Sequence, residues 1–422
     1  MIYGATGSLG ELIIQQALAQ GLTPVMGGRS IARLRSMADK YQLPWRLLDL
    51  DQPEQAVKAL SGIDFVYNAA TENTVAGLVE VCQAVNVHLM MPHQLSAAQT
   101  QTLSDSVALS GDGAAVMTGA GFHTAAIESL LAVAQSQPNS AEFTAFHVAL
   151  LGLPFLHPGY TREFLNYLRE PTQAKPAARL TKRQTPWYDV MLKQMAQHTD
   201  QAWRGLGGKS LTGMRWWSIR APEHDVAPRR FAHTPLSVYL PIAPWLLPVL
   251  KHFSGVAVGL LEPALGRAAQ MPSLRTWPET AGPMGQQKDR PAHQSLFSGL
   301  ASIFAQLVTR QGQGPSRSAV WLVAEHGDGR YSPFGLEFPA VYETVAALAV
   351  IMARDLLGKP VAERQGIAVT PQPGVQTAVE CFGANVVLAV PDSVRFGSLK
   401  KAGVKASSQV TAPVETTEST LS

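Results

Sequence analysis

A chain of 422 residues is too long for one ordinary core, so two domains are expected. Its charged share is 15 % against 46 % apolar, where roughly 25 % charged is usual for soluble proteins; this points to an apolar surface suited to a lipid-like ligand or a membrane face. A net charge of +3 is too small to argue for nucleic acid, and two cysteines, Cys82 and Cys381, cannot build a disulfide framework.

Met1-Ile2-Tyr3 reads as the tail of a strand, although a central parallel strand usually has about five or six residues before its turn. Gly4-Ala5-Thr6-Gly7-Ser8-Leu9-Gly10 follows, and then a helix over Glu11 to Gln20 with Leu12, Ile13, Ala17 and Leu18 as its apolar side. Strand, glycine turn and helix together form a phosphate cradle. The glycines allow a tight turn and close backbone approach, and the helix N-terminus offers N–H groups to a pyrophosphate. All seven residues from Gly4 to Gly10 are therefore candidates for cofactor binding. No basic or apolar leader precedes Gly4, so a signal peptide is not read. A cytoplasmic location is expected, with peripheral membrane contact and a homodimer both compatible with the composition.

Leu22 to Met26 reads as a second strand ending in Gly27-Gly28-Arg29-Ser30. At that point in a Rossmann unit an acid binds the ribose 2′-hydroxyl of NAD, whereas an arginine accommodates the 2′-phosphate of NADP. Arg29 and Ser30, with Arg33 one turn on, favour NADP over NAD; the alternative is a solvated loop arginine. Trp45 to Leu48 is a third strand, with Asp49 placed to accept from the adenine amino group and Asp51 placed to cap a helix over Gln52 to Leu60. Asp64 to Asn68 is a fourth strand, and Ala69-Ala70-Thr71 after it leave room for the nicotinamide-side ribose. Thr74 to Val85 is a helix, Val87 to Met91 a fifth strand, and Ala114 to Thr118 a sixth that runs into Gly119-Ala120-Gly121-Phe122-His123-Thr124. Gly119 and Gly121 join the cofactor candidates. Strands alternating with helices predict an α/β fold, an N-terminal Rossmann doubly wound parallel sheet followed by a second α+β domain.

Four passages give the chain a family resemblance. They are Tyr3-Gly4-Ala5-Thr6-Gly7 with Gly10, then Gly27-Gly28-Arg29, then Gly119-Ala120-Gly121-Phe122, and near the C-terminus Pro373-Gly374-Val375-Gln376-Thr377 with Phe382-Gly383. The sequence resembles the saccharopine dehydrogenase-like oxidoreductases, and within them the trans-acting enoyl reductases. That resemblance implies an NADP-binding Rossmann domain, a second α+β domain, C-terminal helices, and a lipid or amino-acid-derived substrate. This chain departs from the family after Phe122, where His123-Thr124-Ala125-Ala126 stands in place of the family's Asp and following Val-Pro-Ser/Thr-Asp run. It departs again after the fifth strand, which ends His88-Leu89-Met90-Met91-Pro92-His93. Cofactor binding transfers on these residues; substrate chemistry does not.

The expected division is a Rossmann domain over 1–125, an α+β substrate or dimerisation domain over 126–340, C-terminal helices over 341–399 that pack back on the first domain, and a disordered tail over 400–422. Phe143 to Leu151 opens the second domain as a strand. Arg162 to Arg230 holds 13 Lys and Arg against 6 Asp and Glu, together with Trp187, Trp203, Trp216 and Trp217. Thr234 to Leu261 is apolar but broken by Pro235, Pro241, Pro244 and Pro248, which argues against one spanning helix; a cleft wall, a core segment or an interfacial patch fits better. Pro272 to Gln294 reads as a loop and Ser295 to Thr309 as an amphipathic helix. Ser318 to His326 and Tyr331 to Leu336 read as a hairpin around Gly327-Asp328-Gly329, and Tyr342 to Leu357 as a helix.

None of the nine tyrosines has a lysine four residues later, which removes the short-chain dehydrogenase pair. There is no H-E-x-x-H, no Cys-x-x-Cys pair and no G-x-S-x-G, so neither a metal site nor a serine nucleophile is expected. His123 remains as the catalytic candidate for proton transfer beside a hydride donor, with helix capping or packing as its alternative role. His93 is a second candidate, and Glu128 reads as helix first-turn charge. The function expected is NADP-dependent oxidoreduction of an apolar substrate. A non-catalytic NADP-binding sensor, or a peripheral membrane protein with a structural Rossmann domain, is the alternative.

Overall fold

The computed structural model describes residues 1–70, 74–93, 95, 97–108, 114–152, 215–219, 234–242, 317–357 and 374–400. Among them, two sheets form around buried helices. The first part of the chain alternates β1 (Ile2–Tyr3), α1 (Ser8–Ala19), β2 (Met26–Gly28), α2 (Ile31–Tyr41), β3 (Trp45–Leu47), α3 (Pro53–Ala59), β4 (Phe65–Asn68), α4 (Val75–Ala84), β5 (His88–Met90), α5 (Ala97–Ala108), β6 (Ala115–Thr118) and α6 (Phe122–Gln135). The second part runs β7 (Phe143–Leu151), β8 (Arg215–Ile219), β9 (Leu236–Ile242), β10 (Arg317–His326), β11 (Tyr331–Pro339), α7 (Val341–Leu357), β12 (Gly374–Thr377), α8 (Ala378–Phe382), α9 (Asn385–Leu388) and β13 (Val394–Gly397).

The first sheet has seven strands in the order β12-β6-β5-β4-β1-β2-β3, and every pairing in it is parallel. This is the doubly wound arrangement, with the order reversing beside β1. The second sheet has the order β13-β11-β10-β7-β9-β8, antiparallel except for the β7–β9 pair. The expected α/β fold with a second α+β unit is therefore present.

Because side chains alternate along a strand, both faces of the first sheet are apolar. Ile2, Phe65, Tyr67, Met90 and Met117 enter one core with α1 and α6, while Tyr3, Val66, Leu89 and Val116 enter another with α3 and α4. The first core continues into the second sheet through Phe146, Val148, Leu322, Phe334 and Phe338. α6 lies at that junction. Twelve of its fourteen residues are buried, and Phe122 meets Phe338 edge to face at 5.5 Å. On the second sheet Trp321 stacks on Phe396 at 5.2 Å. Gly335 makes room for this pair, since a Cβ there would stand 3.0 Å from the indole.

Three local readings are corrected. The second strand is Met26–Gly28 rather than Leu22 to Met26, because Pro24 has no N–H to give a ladder. Asp51 does not cap α3; Gln52 holds the N-cap with Pro53 at the first helical position, and the Asp51 N–H donates to Asp49 Oδ1 at 3.3 Å. The hairpin strand after Gly329 extends to Pro339, paired residue for residue with β10.

The apolar run over 234–261 begins with strand β9, which pairs with β7 and β8, so it is not one continuous helix. Its remainder, most of the basic stretch 162–230, the loop 272–294, the helix 295–309 and the tail 401–422 lie outside the described residues. Among the described residues no helix is long and apolar enough to cross a membrane.

Candidate dinucleotide site

All seven strands of a parallel sheet end on the same edge, and ligands of such sheets bind where the strand order reverses. Here that point lies between β1 and β4. The turn after β1 is Gly4 to Gly7, and the turn after β4 is Ala69-Ala70. They touch: Ala69 N–H donates to Tyr3 O at 2.8 Å, and a Cβ on Gly4 would stand 2.8 Å from Ala70 N. Gly4 also has φ +80°, which an L side chain rarely adopts.

Gly10 is closed to a side chain for another reason, since a Cβ there would lie 2.4 Å from Gly4 O and 2.7 Å from Ala5 Cα. Gly7 is the N-cap of α1 in extended conformation, with no side-chain cap. The first-turn N–H groups at Ser8, Leu9 and Gly10 have no carbonyl four residues back inside the helix. Backbone donors gathered at a helix N-terminus, on a turn that Gly4 and Gly10 let close tightly, fit a pyrophosphate. These are the residues expected from sequence, and Thr6 lies half-buried on the same turn.

Glu11 sits at the fourth position of α1, where its charge would oppose a bound phosphate. Lys40 Nζ and the Tyr41 hydroxyl both donate to Glu11 Oε1 at 2.7 Å. Partial burial pushes the Glu11 carboxyl up, but these two hydrogen bonds outweigh it and hold the group below its ordinary value. The acid is thus committed to α2.

Arg29 and Ser30 are exposed at the end of β2, and the Ser30 hydroxyl takes no part in capping α2. Burial pushes the Tyr3 hydroxyl up; the Arg29 charge opposes this and Asp49 adds to it, so both groups act on the end of β1. No acid follows Gly28 directly, where an NAD ribose would call for one. Asp49 is half-buried, and its Oδ1 accepts from Asp51 N–H.

Toward the other half of the crevice, Asn68 is fully buried at the end of β4. Its Oδ1 accepts from Ala70 N–H at 3.0 Å and its Nδ2 donates to Thr74 Oγ1 at 3.2 Å. Asn68 thereby shapes the Ala69-Ala70 turn, a role not read from sequence; an Asn ending an apolar strand before two small residues was the available signal. Gly119 has φ +68°, and a Cβ on Gly121 would lie 2.5 Å from Pro92 O. The turns after β5 and β6 are therefore in backbone contact.

His123 is the second residue of α6 and only 8 % exposed. Glu128 is not a first-turn charge, because α6 begins at Phe122. It is buried, and its Oε1 accepts from the Thr377 hydroxyl at 2.7 Å. Thr377 ends β12 and caps α8, its Oγ1 accepting from Glu380 N–H at 3.1 Å while Glu380 Oε2 accepts from Thr377 N–H. Next to it the Thr118 hydroxyl donates to Gln376 O at 3.3 Å. The closing segment read from sequence thus completes the sheet edge beside β6.

Residues 4–119 match the family model described as NAD(P)H-binding. No protein of curated function matches the chain. Among solved structures, apo saccharopine dehydrogenase (L-Glu forming) from Saccharomyces cerevisiae matches with a TM-score of 0.51 at 13 % identity, covering 92 % of this chain and 95 % of that one. Triphenylmethane reductase from Citrobacter sp. complexed with NADP(H) matches at 26 % identity over 23 % of this chain and 38 % of that one, with a TM-score of 0.20. An NADPH-dependent quinone oxidoreductase from Escherichia coli matches at 18 % identity over 31 % of this chain and 51 % of that one, with a TM-score of 0.23. The last two overlaps are too partial to carry an argument. The chain has the fold of saccharopine dehydrogenase, and its first sheet holds an NAD(P)H-binding unit.

Proposed function

We propose that this protein is an NADP(H)-dependent oxidoreductase that acts on an apolar or lipid-like substrate, as the trans-acting enoyl reductases it resembles would do. The observation that carries this reading is the glycine cradle at the reversal point, with Arg29 and Ser30 exposed at the end of β2. A nicotinamide dinucleotide, when bound, supplies or accepts a hydride. The N–H groups at Ser8, Leu9 and Gly10 would hold its pyrophosphate, and the Arg29 guanidinium and Ser30 hydroxyl its 2′-phosphate. Asp49 would accept from the adenine amino group, and Ala69, Ala70, Gly119 and Gly121 would line the nicotinamide half with little side-chain bulk.

His93 and His123 are the histidines of that half. The low charged share of 15 % supports an apolar substrate, and the 13 basic against 6 acidic residues of 162–230 suit an acidic carrier or headgroup. A homodimer and contact with a membrane surface belong to the same proposal.

The test is NADPH consumption by the purified protein across a panel of long-chain enones and enoyl thioesters. Turnover of any of them above the protein-free rate supports the reading. Tight NADPH binding with no turnover across the panel would instead favour a non-catalytic nucleotide-binding role.

A further inference from the structure

An acid stands in the first turn of the helix that would receive the pyrophosphate. Glu11 follows Gly10 directly, and its N–H donates to Gly7 O at 2.9 Å. There it serves α1, since negative charge at a helix N-terminus is stabilising and Gly7 supplies no side-chain cap. The same charge stands within about 10 Å of any anion held by the N–H groups of Ser8, Leu9 and Gly10, and it would repel that anion. Partial burial favours the neutral acid, but the hydrogen bonds from Lys40 and Tyr41 outweigh it, so Glu11 is a carboxylate at neutral pH.

The charge is answered from α2. Lys40 Nζ and the Tyr41 hydroxyl converge on Glu11 Oε1, each at 2.7 Å, and Gln15 Nε2 donates to that hydroxyl at 2.9 Å. Lys40 Nζ also stands 4.9 Å from the centre of the Tyr41 ring, so two contacts hold the cation beside the acid. The lysine side chain is 57 % exposed and the glutamate 33 %, and an ion pair this open contributes little to stability. The charge balance matters more: the pair as a whole is neutral, and either half alone is not. We propose that Lys40 is an electrostatic determinant of dinucleotide affinity, acting through Glu11: its charge cancels the acid's repulsion of the phosphates. The proposal rests on the dinucleotide-binding reading above.

The experiment sets the two halves of the pair against each other. Lys40→Gln and Glu11→Gln break the same ion pair, so a purely structural contact predicts the same sign of change in both. The charge account predicts opposite signs. Dissociation constants of NADPH are measured by titration calorimetry for the full chain and its variants at about 10 mM salt, where charges act over about 30 Å. Lys40→Gln leaves a lone carboxylate and should weaken NADPH binding at least about threefold; Glu11→Gln leaves a lone ammonium and should tighten it. The double variant should return to within about twofold of the parent. At about 1 M salt, where the screening length is about 3 Å, the three variants should converge on the parent.

Urea midpoints of the three variants should lie close to the parent's, which separates a change in affinity from a change in folding. Lys40→Met keeps the side-chain stem over the Tyr41 ring and should repeat the Lys40→Gln result, which leaves a test if the first variant does not fold. Weaker binding in both single variants, or a spread that survives at high salt, overturns the proposal while leaving the dinucleotide reading intact. Equal affinity of all the proteins at low salt does the same. Failure of the parent to bind NADPH removes both.

Discussion

Gly10 packs against the Gly4 carbonyl so closely that a Cβ on Gly10 would stand 2.4 Å from that oxygen. Both partners are backbone, so neither can swing aside. The first turn of α1 is thereby pressed onto the strand it follows, which sets the helix N-terminus over the crevice.

Gly10→Ala should therefore cost at least about 1–3 kcal/mol of stability, as overpacking does, and abolish nucleotide binding. Gly7→Ala is the contrast. A Cβ there would be 3.3 Å from Gly4 O, and φ is −88°, which any residue adopts. Urea denaturation and NADPH titration of the two variants should rank them in that order. Equal effects would mean that the cradle tolerates movement at Gly10.

The Thr377 hydroxyl serves Glu380 N–H and Glu128 Oε1 at once. Thr377→Val removes the cap and one donor to a buried carboxylate, for a loss of about 1–3 kcal/mol. Thr377→Ser should recover most of it. A double-mutant cycle with Glu128→Gln should show coupling between the two sites, and additive losses would show that the contact contributes nothing of its own.

His88 Nδ1 accepts from Ala115 N–H at 3.1 Å, so it is unprotonated when β5 and β6 pair. Burial lowers its pKa below the ordinary 6.5, and Asp64 only partly opposes this. The unfolded chain therefore binds the proton more readily, and stability is full above about pH 6.5 and declines as pH falls below it. His147, lowered by burial despite Glu325, adds to the same decline. Denaturant midpoints measured on either side of this range should show it, and His88→Phe should reduce the pH dependence without abolishing it. A pH-independent midpoint in the parent would contradict the assignment.

Both cysteines are buried, and burial pushes each thiol up to about 12. Cys381 Sγ also donates to Gln376 Oε1 at 2.9 Å. Neither should react appreciably with a thiol reagent at neutral pH until denaturant is added. Rapid labelling of one thiol in the native protein would place it outside the core described here.

The dinucleotide half was readable because its signals are local. Glycine turns, apolar strands and the Arg29 position each declare themselves within a few residues. α2 and α5 escaped that reading for a physical reason. The stripe of α2, Leu34, Met37, Ala38 and Tyr41, is short and flanked by Arg33, Arg35, Asp39 and Lys40, and α5 is mostly Ala, Gln, Thr and Ser and shows no strong apolar stripe. β12 could not be read as a strand because its partner lies far away; the Thr118–Gln376 bond spans 258 residues. The burial of Glu128 likewise depends on Thr377, 249 residues on. Tertiary pairing, which leaves no mark on the local pattern, decided these cases.

Gly4 to Gly10 and Arg29 are proposed to build a site for NADP(H). Its most direct measurement is the affinity of the purified chain for NADPH and NADH, beside that of Arg29→Asp. NADPH should bind at least about tenfold more tightly than NADH, and the substitution should erase or reverse that preference. Binding of neither nucleotide, or an NADPH preference that Arg29→Asp leaves unchanged, would contradict it.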